Sequence, residues 1–333
     1  MNQLNNAFTL FLSLLVEATP FLLLGVILSS LLLFFVDERK LIASMPRHPF
    51  LGAVFGSCVG FLFPVCECGN VPVARRLLSQ GAPAPVAIGF LLAAPTINPV
   101  VIWSTWVAFR DQPEIWVLRI LFSLSISIFI GCVFSTQKDL GPLLQRAVFR
   151  SRPRKFAEDK PALLQSGSYL LGQSGTPLPL DVNVLNTPPS QDIQSKPLPD
   201  RLQLFVENAI QEFRELGSIL VLGSAIAAII QVVIPRDIII SLGQGPVMSI
   251  LAMMLLAAVV SICSTVDAFF ALAFASTFTS GSLLAFLIFG PMIDIKAIGL
   301  LLSVFKTKSI IYLFLIAGQL TFLLTLFLNL YVS

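Results

Sequence analysis

Residues 64–72 read PVCECGNVP and lie between two long apolar runs. Proline and glycine break the segment, and it carries two thiols and a carboxylate, Cys66, Glu67 and Cys68. Thiols one residue apart can address the same soft ion where the backbone is extended or turning. Cys263, in the stretch ICSTVDAF, could bring a third from a distant part of the chain. Three sulfurs suit a soft metal or a trivalent metalloid, so Cys66, Cys68 and Cys263 form the candidate metal set. The same thiols could equally fill space as small apolar groups, or exchange in redox chemistry. An odd total of five cysteines argues against a disulfide.

Ionisable groups accompany the thiols. Glu67, Asp267, Asp294 and Lys296 fall at or beside breaks in apolar surroundings. Each would cost roughly 3 kcal/mol or more if it faced lipid. They are therefore expected to face a protein interior or a wet cavity, as proton carriers, counter-charges or solute contacts. The plainer alternative is a structural ion pair between Asp294 and Lys296. Asn70, Asn98 and Ser264 supply polar contacts at the same breaks, and Asn98 suits equally well the cap of a following helix.

The elements that must position these groups are membrane helices. Of 333 residues, 56% are hydrophobic and 12% charged, with mean hydropathy +0.88, which excludes an ordinary soluble domain. Several apolar runs approach or exceed the ~20 residues that cross a bilayer, and none has the alternation of a membrane barrel. The first run, residues 8–36, is too long for a signal-peptide core and is expected to be a retained helix. No phosphate loop, dinucleotide fingerprint, histidine pair or G-x-S-x-G occurs, so the chain is expected to be neither an enzyme nor a cofactor carrier. The net charge of +3 reflects membrane orientation rather than nucleic-acid binding.

Two apolar blocks flank a polar stretch rich in Pro, Ser and Gln. This predicts a first transmembrane repeat over 1–135, a disordered cytosolic linker over 136–201, and a second repeat over 202–333. The blocks match in order: Glu17 and Gly25 with Glu215 and Gly223, Cys66 with Cys263, Gly81 with Gly281, and Pro95-Thr96-Ile97-Asn98 with Pro291-Met292-Ile293-Asp294. Residues 51–65 and 247–262 are short for a full crossing. If each enters partway, turns at its cysteine tip and returns as a half-helix over 71–80 or 268–280, only Arg110, Arg119 and Arg236 lie on one side. Lys296 stays in the membrane, and every other Lys and Arg lies on the opposite face, as the positive-inside rule prefers. The expected fold is thus an all-α polytopic membrane protein of two inverted repeats. Each has three transmembrane helices plus a re-entrant helical hairpin with a broken helix. Both termini are placed outside. Gly52, Gly56 and Gly60 are expected to form a smooth face for close packing.

The stretches PVCECGNVPVARRLLSQGAPAPVAIGFLLAAPTINPV and ICSTVDAFFALAFASTFTSGSLLAFLIFGPMIDIK resemble the bacterial predicted-permease family that includes YraQ-type proteins and ArsP-type organoarsenical efflux permeases. The resemblance covers both apolar blocks and implies a multi-pass permease of the bacterial plasma membrane. Trivalent methylated arsenic is a substrate of some relatives. The C-E-C form looks closer to the YraQ-type branch.

The functional expectation is a secondary permease for a small solute, a thiophilic metalloid or metal among the candidates, with coupling to protons through the carboxylates. Its partners are the solute and the lipid bilayer, and nucleic acid is not among them. The alternative is an intramembrane thiol oxidoreductase using Cys66 and Cys68. A passive channel is a third possibility.

Overall fold

The computed structural model describes residues 2–35, 44–46, 48–63, 66–135, 144–145, 148, 169–171, 177–179, 198–233, 245–275 and 277–331. Its described residues are almost wholly helical, and the chain is a multi-pass membrane protein. Among the described residues, six helical stretches are long and apolar enough to cross a bilayer, three in each half. The described strands, Tyr169–Leu171 and Pro177–Pro179, form one small antiparallel pair in the central segment.

The first half runs α1 (Asn2–Phe35), α2 (Pro49–Leu62), α3 (Glu67–Gln80), α4 (Ala84–Ile97), α5 (Pro99–Ala108) and α6 (Pro113–Ser135). The second runs α7 (Leu198–Val233), α8 (Pro246–Val260), α9 (Asp267–Leu272), α10 (Ser280–Met292), α11 (Ile295–Leu301) and α12 (Thr307–Tyr331). Element follows element in the same order. Helix α2 starts with proline at its first position, where a missing N–H costs nothing, and α8 does likewise. Helix α3 ends at Gly81, whose φ of 93° only glycine adopts freely, with the amide of Ala82 closing onto the carbonyl of Leu77 at 3.0 Å.

The two interrupted spans are the centre of the molecule. Ala84–Ala108 and Ser280–Leu301 are each 78% buried, whereas the other four spans are 28–39% buried and present apolar side chains to lipid. The chain leaves the helix at Asn98 and at Ile293–Asp294, inside the segments 94–99 and 290–294 where breaks were expected, while Pro95 and Pro291 lie within α4 and α10. The prolines act one turn earlier. Pro95 cannot donate to the carbonyl of Leu91, and the side-chain amide of Asn70 takes that acceptor at 2.6 Å.

Packing on these spans is close. A Cβ on Gly56 would run into the backbone of Val86, and one on Gly60 would come within 2.9 Å of the amide of Ala94, so the glycine face of α2 lies directly against α4. Gly25 of α1 meets the backbone of Gly69 in the same way, holding α3 in place.

Two boundaries differ from expectation. Helix α3 begins four residues earlier than predicted, at Glu67, while α9 stops at Leu272. The Ser- and Thr-containing stretch after α9 offers backbone-competing hydroxyls, and turns carry it to α10. Most of 136–201, expected to be disordered, lies outside the described residues. Of those that are described, Leu144 pairs with Phe305, and the side-chain amide of Gln145 donates to the carbonyls of Leu302 and Phe305, so the start of the segment docks on the second half.

Candidate functional site

All ten residues expected at the site are buried. Cys66 precedes α3 in extended backbone, and the amides of Gly69 and Asn70 donate to its carbonyl at 3.1 Å each. Glu67 then opens the helix, where a carboxylate meets the positive end of the helix dipole. On the other side α8 ends at Ser261 with φ 48° and ψ 43°, a left-handed conformation uncommon for a residue other than glycine. That turn sends the chain into the second tip. There the amides of Val266 and Asp267 donate to the carbonyl of Cys263, and the hydroxyl of Thr265 donates to its sulfur at 3.5 Å.

The tips converge. One ligand atom each from Cys66, Glu67 and Cys263 lie within 4.8 Å of one another, fully enclosed. This compact set mixes two sulfurs with one oxygen; the buried thiol of Cys68 lies against that of Cys66 but is not one of the three. All the described cysteines are free thiols. Such a set can hold a soft or borderline cation with thiolate ligands.

Helix α11 supplies the charge beside the tips. The ammonium of Lys296 lies 3.8 Å from Glu67, close enough for an ion pair but beyond a hydrogen bond. Asp294 does not close onto Lys296. One of its oxygens accepts the amide of Ala297 at 2.5 Å and caps α11. Asn98 does the same for α5, accepting from the amide of Val101 at 2.9 Å while its own NH₂ group returns to the carbonyl of Ala94 at 3.2 Å. The two breaks are thus capped by corresponding residues of the two halves.

Glu67 and Asn70 face a small cavity, roomy enough for about one water molecule and otherwise lined by apolar residues of α3, α4, α10 and α11. Among the described residues, the second oxygen of Glu67, the second oxygen of Asp294 and the side-chain oxygen of Asn70 make no hydrogen bond. The hydroxyl of Ser264, also buried, makes none either.

Asp267 does not join this group. It forms a two-pronged pair with Arg119 of α6, at 3.0 and 2.6 Å, and Arg119 also donates to the hydroxyl of Thr105 on α5 at 2.7 Å. The sequence reading missed Arg119, counting it among charges outside the membrane. It is 1% exposed. The signal was present: Pro113 and Glu114 mark the helix start, which sets Arg119 about 9 Å inside.

A second polar seam runs between α1, α3 and α7. The hydroxyl of Ser29 donates to both oxygens of Glu212, Asn208 donates to Ser30, and Arg75 pairs with Glu215 at 3.0 Å.

Among the described residues, four spans around two interrupted, buried ones, with polar breaks and convergent tips from both halves, define a polytopic membrane transporter. The chain belongs to the predicted-permease family: the ArsP-type family model matches residues 3–330. It is 37% identical over 313 residues to the UPF0718 protein YcgR of Bacillus subtilis, covering 93% of this chain and 92% of that one. It is 32% identical over 302 residues to a Streptococcus mutans protein named "Putative two-component membrane permease complex subunit", covering 91% of this chain and 88% of that one. No solved structure matches.

Proposed function

We propose that the protein is a secondary permease that carries a small solute across the bacterial plasma membrane by alternating access, with its site where the two tips meet the two interrupted spans. Residues 1–135 and 202–333 act as inverted repeats, each with three spanning helices and a re-entrant hairpin. The segment 136–201 joins them in the cytoplasm, and both termini lie outside. Two observations support this arrangement. Helices α2 and α8, of 14 and 15 residues, are short of a ~30 Å crossing at 1.5 Å per residue. Removing Arg119 from the outer face leaves only Arg110 and Arg236 there, which sharpens the charge asymmetry.

The observation that carries the reading is the meeting of Cys66, Glu67 and Cys263, drawn from opposite halves of the chain, inside the protein. A site on both halves changes shape when they rock against each other, as alternating access requires. Two thiols and a carboxylate suit a thiophilic metal or metalloid as cargo. Glu67, Asp294 and Lys296 serve as coupling or counter-charge groups. The thiol of Cys66 lies against those of both Cys263 and Cys68; an oxidoreductase working through Cys66 and Cys68 is not advanced, because the permease family favours transport.

Flux in everted vesicles tests the proposal, using a panel of soft metals, metalloids and oxyanions with parent, Glu67→Gln and Cys263→Ser proteins. A thiophilic species should move in the parent and slow at least tenfold in either variant. Absence of flux for every panel member, or identical flux in all three, overturns it. The Streptococcus relative's name raises a second subunit for this chain, which the mass of the detergent-extracted complex would reveal.

A further inference from the structure

Helix α12 has two unlike sides. One packs on α6, α8 and α10 through a buried face that includes Ala317 and Thr321. The other is exposed along a ridge of every fourth residue: Ile311, Leu315, Gln319, Leu323 and Phe327. The apolar members of that ridge suit lipid, and Gln319 does not. It stands midway along α12, about 18 Å from either end at 1.5 Å per residue. Its side chain is therefore too short to reach the headgroups, as long side chains near a helix end do. A primary amide carries two N–H donors and a carbonyl acceptor, and acyl chains answer none of them. Nor does the protein: among the described residues, the side chain of Gln319 makes no hydrogen bond. A hydroxyl facing lipid can be satisfied by its own helix, as that of Ser125 on α6 is by the carbonyl of Leu121 at 2.7 Å. Gln319 has no such outlet. What α12 lacks is a hydrogen-bonding neighbour on its lipid side, at the middle of the bilayer.

We propose that this neighbour is α12 of a second copy of the chain, and that the protein is a two-fold dimer in the membrane, pinned at its centre by Gln319 of each protomer. All copies insert with one orientation. A two-fold axis along the membrane normal then sets the two α12 helices side by side in the same direction, so that Gln319 of one protomer meets Gln319 of its partner at equal depth. The group is self-complementary. An N–H of each amide donates to the carbonyl of the other, and symmetry makes the two bonds reciprocal. The ridge favours the same occupant. Side chains four apart form the ridges that interdigitate where helices cross, and a ridge centred on Gln319 puts the amides at the crossing point, between Leu315 and Leu323. An unrelated helix would have to bring both a donor and an acceptor to that one depth, whereas a second copy brings them by construction.

The dimer is independent of the permease reading and of any second subunit bound elsewhere. The full chain, in two batches labelled with donor and acceptor fluorophores, is reconstituted together in liposomes over a range of protein-to-lipid ratios, and energy transfer between copies is recorded. The parent should dimerise. Gln319→Leu, which only places another apolar side chain against lipid, should need an about tenfold higher ratio for half-association. Oxidation of the membranes with iodine should join copies through Leu323→Cys, on the same ridge with the amide kept, well above the level set by the parent's own thiols. It should not do so through Leu222→Cys, on the exposed side of α7. A parent that stays monomeric at every ratio, a Gln319→Leu variant that associates as the parent does, or cross-linking through α7 instead overturns the proposal. So does a cross-link from Leu323→Cys, in cell membranes, to a different polypeptide rather than to a second copy.

Discussion

Two buried acids at the two tips sit in opposite electrostatic circumstances. Asp267 is closed: both of its oxygens are bound by the guanidinium of Arg119, at 3.0 and 2.6 Å, and the charge count is even. Glu67 is open: its lysine stands at 3.8 Å, one oxygen has no partner among the described residues, and a cavity adjoins it. Both pairs cross from one half of the chain to the other. A bidentate guanidinium fork fixes direction as well as distance, whereas an ammonium is a point charge that tolerates displacement. The first pair is therefore suited to hold the halves in register, and the second to change state. The cations are also unrelated by the repeat, since Arg119 comes from α6 and Lys296 from α11.

The contrast breaks most visibly at Arg119. Removing one partner of a fully buried pair leaves an uncompensated charge, a loss of about 3–5 kcal/mol. Arg119→Met and Asp267→Asn should each abolish accumulation of folded protein or lower its unfolding temperature sharply. The exchange Arg119→Asp with Asp267→Arg should recover part of that loss. Near-parental stability in Arg119→Met would remove the distinction between the tips. Glu67→Gln should behave differently, lowering the unfolding temperature by less than half as much while abolishing flux, because Lys296 keeps Asp294 nearby. Equal destabilisation by both variants would make Glu67 a second lock.

At the thiols the comparison becomes one of spacing. Cadmium binding, followed by thiolate-to-metal absorption, should weaken at least tenfold in Cys66→Ser and in Cys263→Ser and change little in Cys68→Ser. An equal loss in all three would restore the three-sulfur set.

Much of this was legible in the sequence. Hydropathy found the six long spans, and the distribution of Lys and Arg set the two shorter runs, 51–65 and 247–262, apart from them. The ordered match of the halves paired Cys66 with Cys263 and Asn98 with Asp294, residues the fold places at corresponding breaks. Three features were not legible, each for a physical reason. Cys68 was grouped with Cys66 because a C-x-C spacing treats both thiols alike. Cys68 does lie against Cys66, but the carboxylate of Glu67 rather than the thiol of Cys68 completes the compact set with Cys66 and Cys263, which the spacing alone does not show. The breaks were expected over 94–99 and 290–294, and the chain leaves the helix inside both; what was not legible is that Pro95 itself stays helical, with Asn70 taking the carbonyl that it frees. Arg119 was read as a surface charge because a charge near the end of an apolar run looks solvated. The helix start at Pro113 sets it inside, but its partner lies 148 residues away, and it is that partner which no local pattern announces.

The smallest expected effect concerns the two caps, and it isolates charge from hydrogen bonding. Asn98 and Asp294 perform the same task, accepting the amide three residues on at 2.9 and 2.5 Å, but only one is charged. If Asp294 were present merely as a cap, asparagine would serve as well, as it does in the other half. Asn98→Ala should cost about 1 kcal/mol in unfolding free energy through loss of the cap. Asp294→Asn should cost less than that, or even stabilise by relieving the excess negative charge, while still reducing flux at least tenfold. A variant that keeps its helix cap and its stability but loses transport places the requirement on the carboxylate's charge. One that loses neither would make Asp294 the simple counterpart of Asn98.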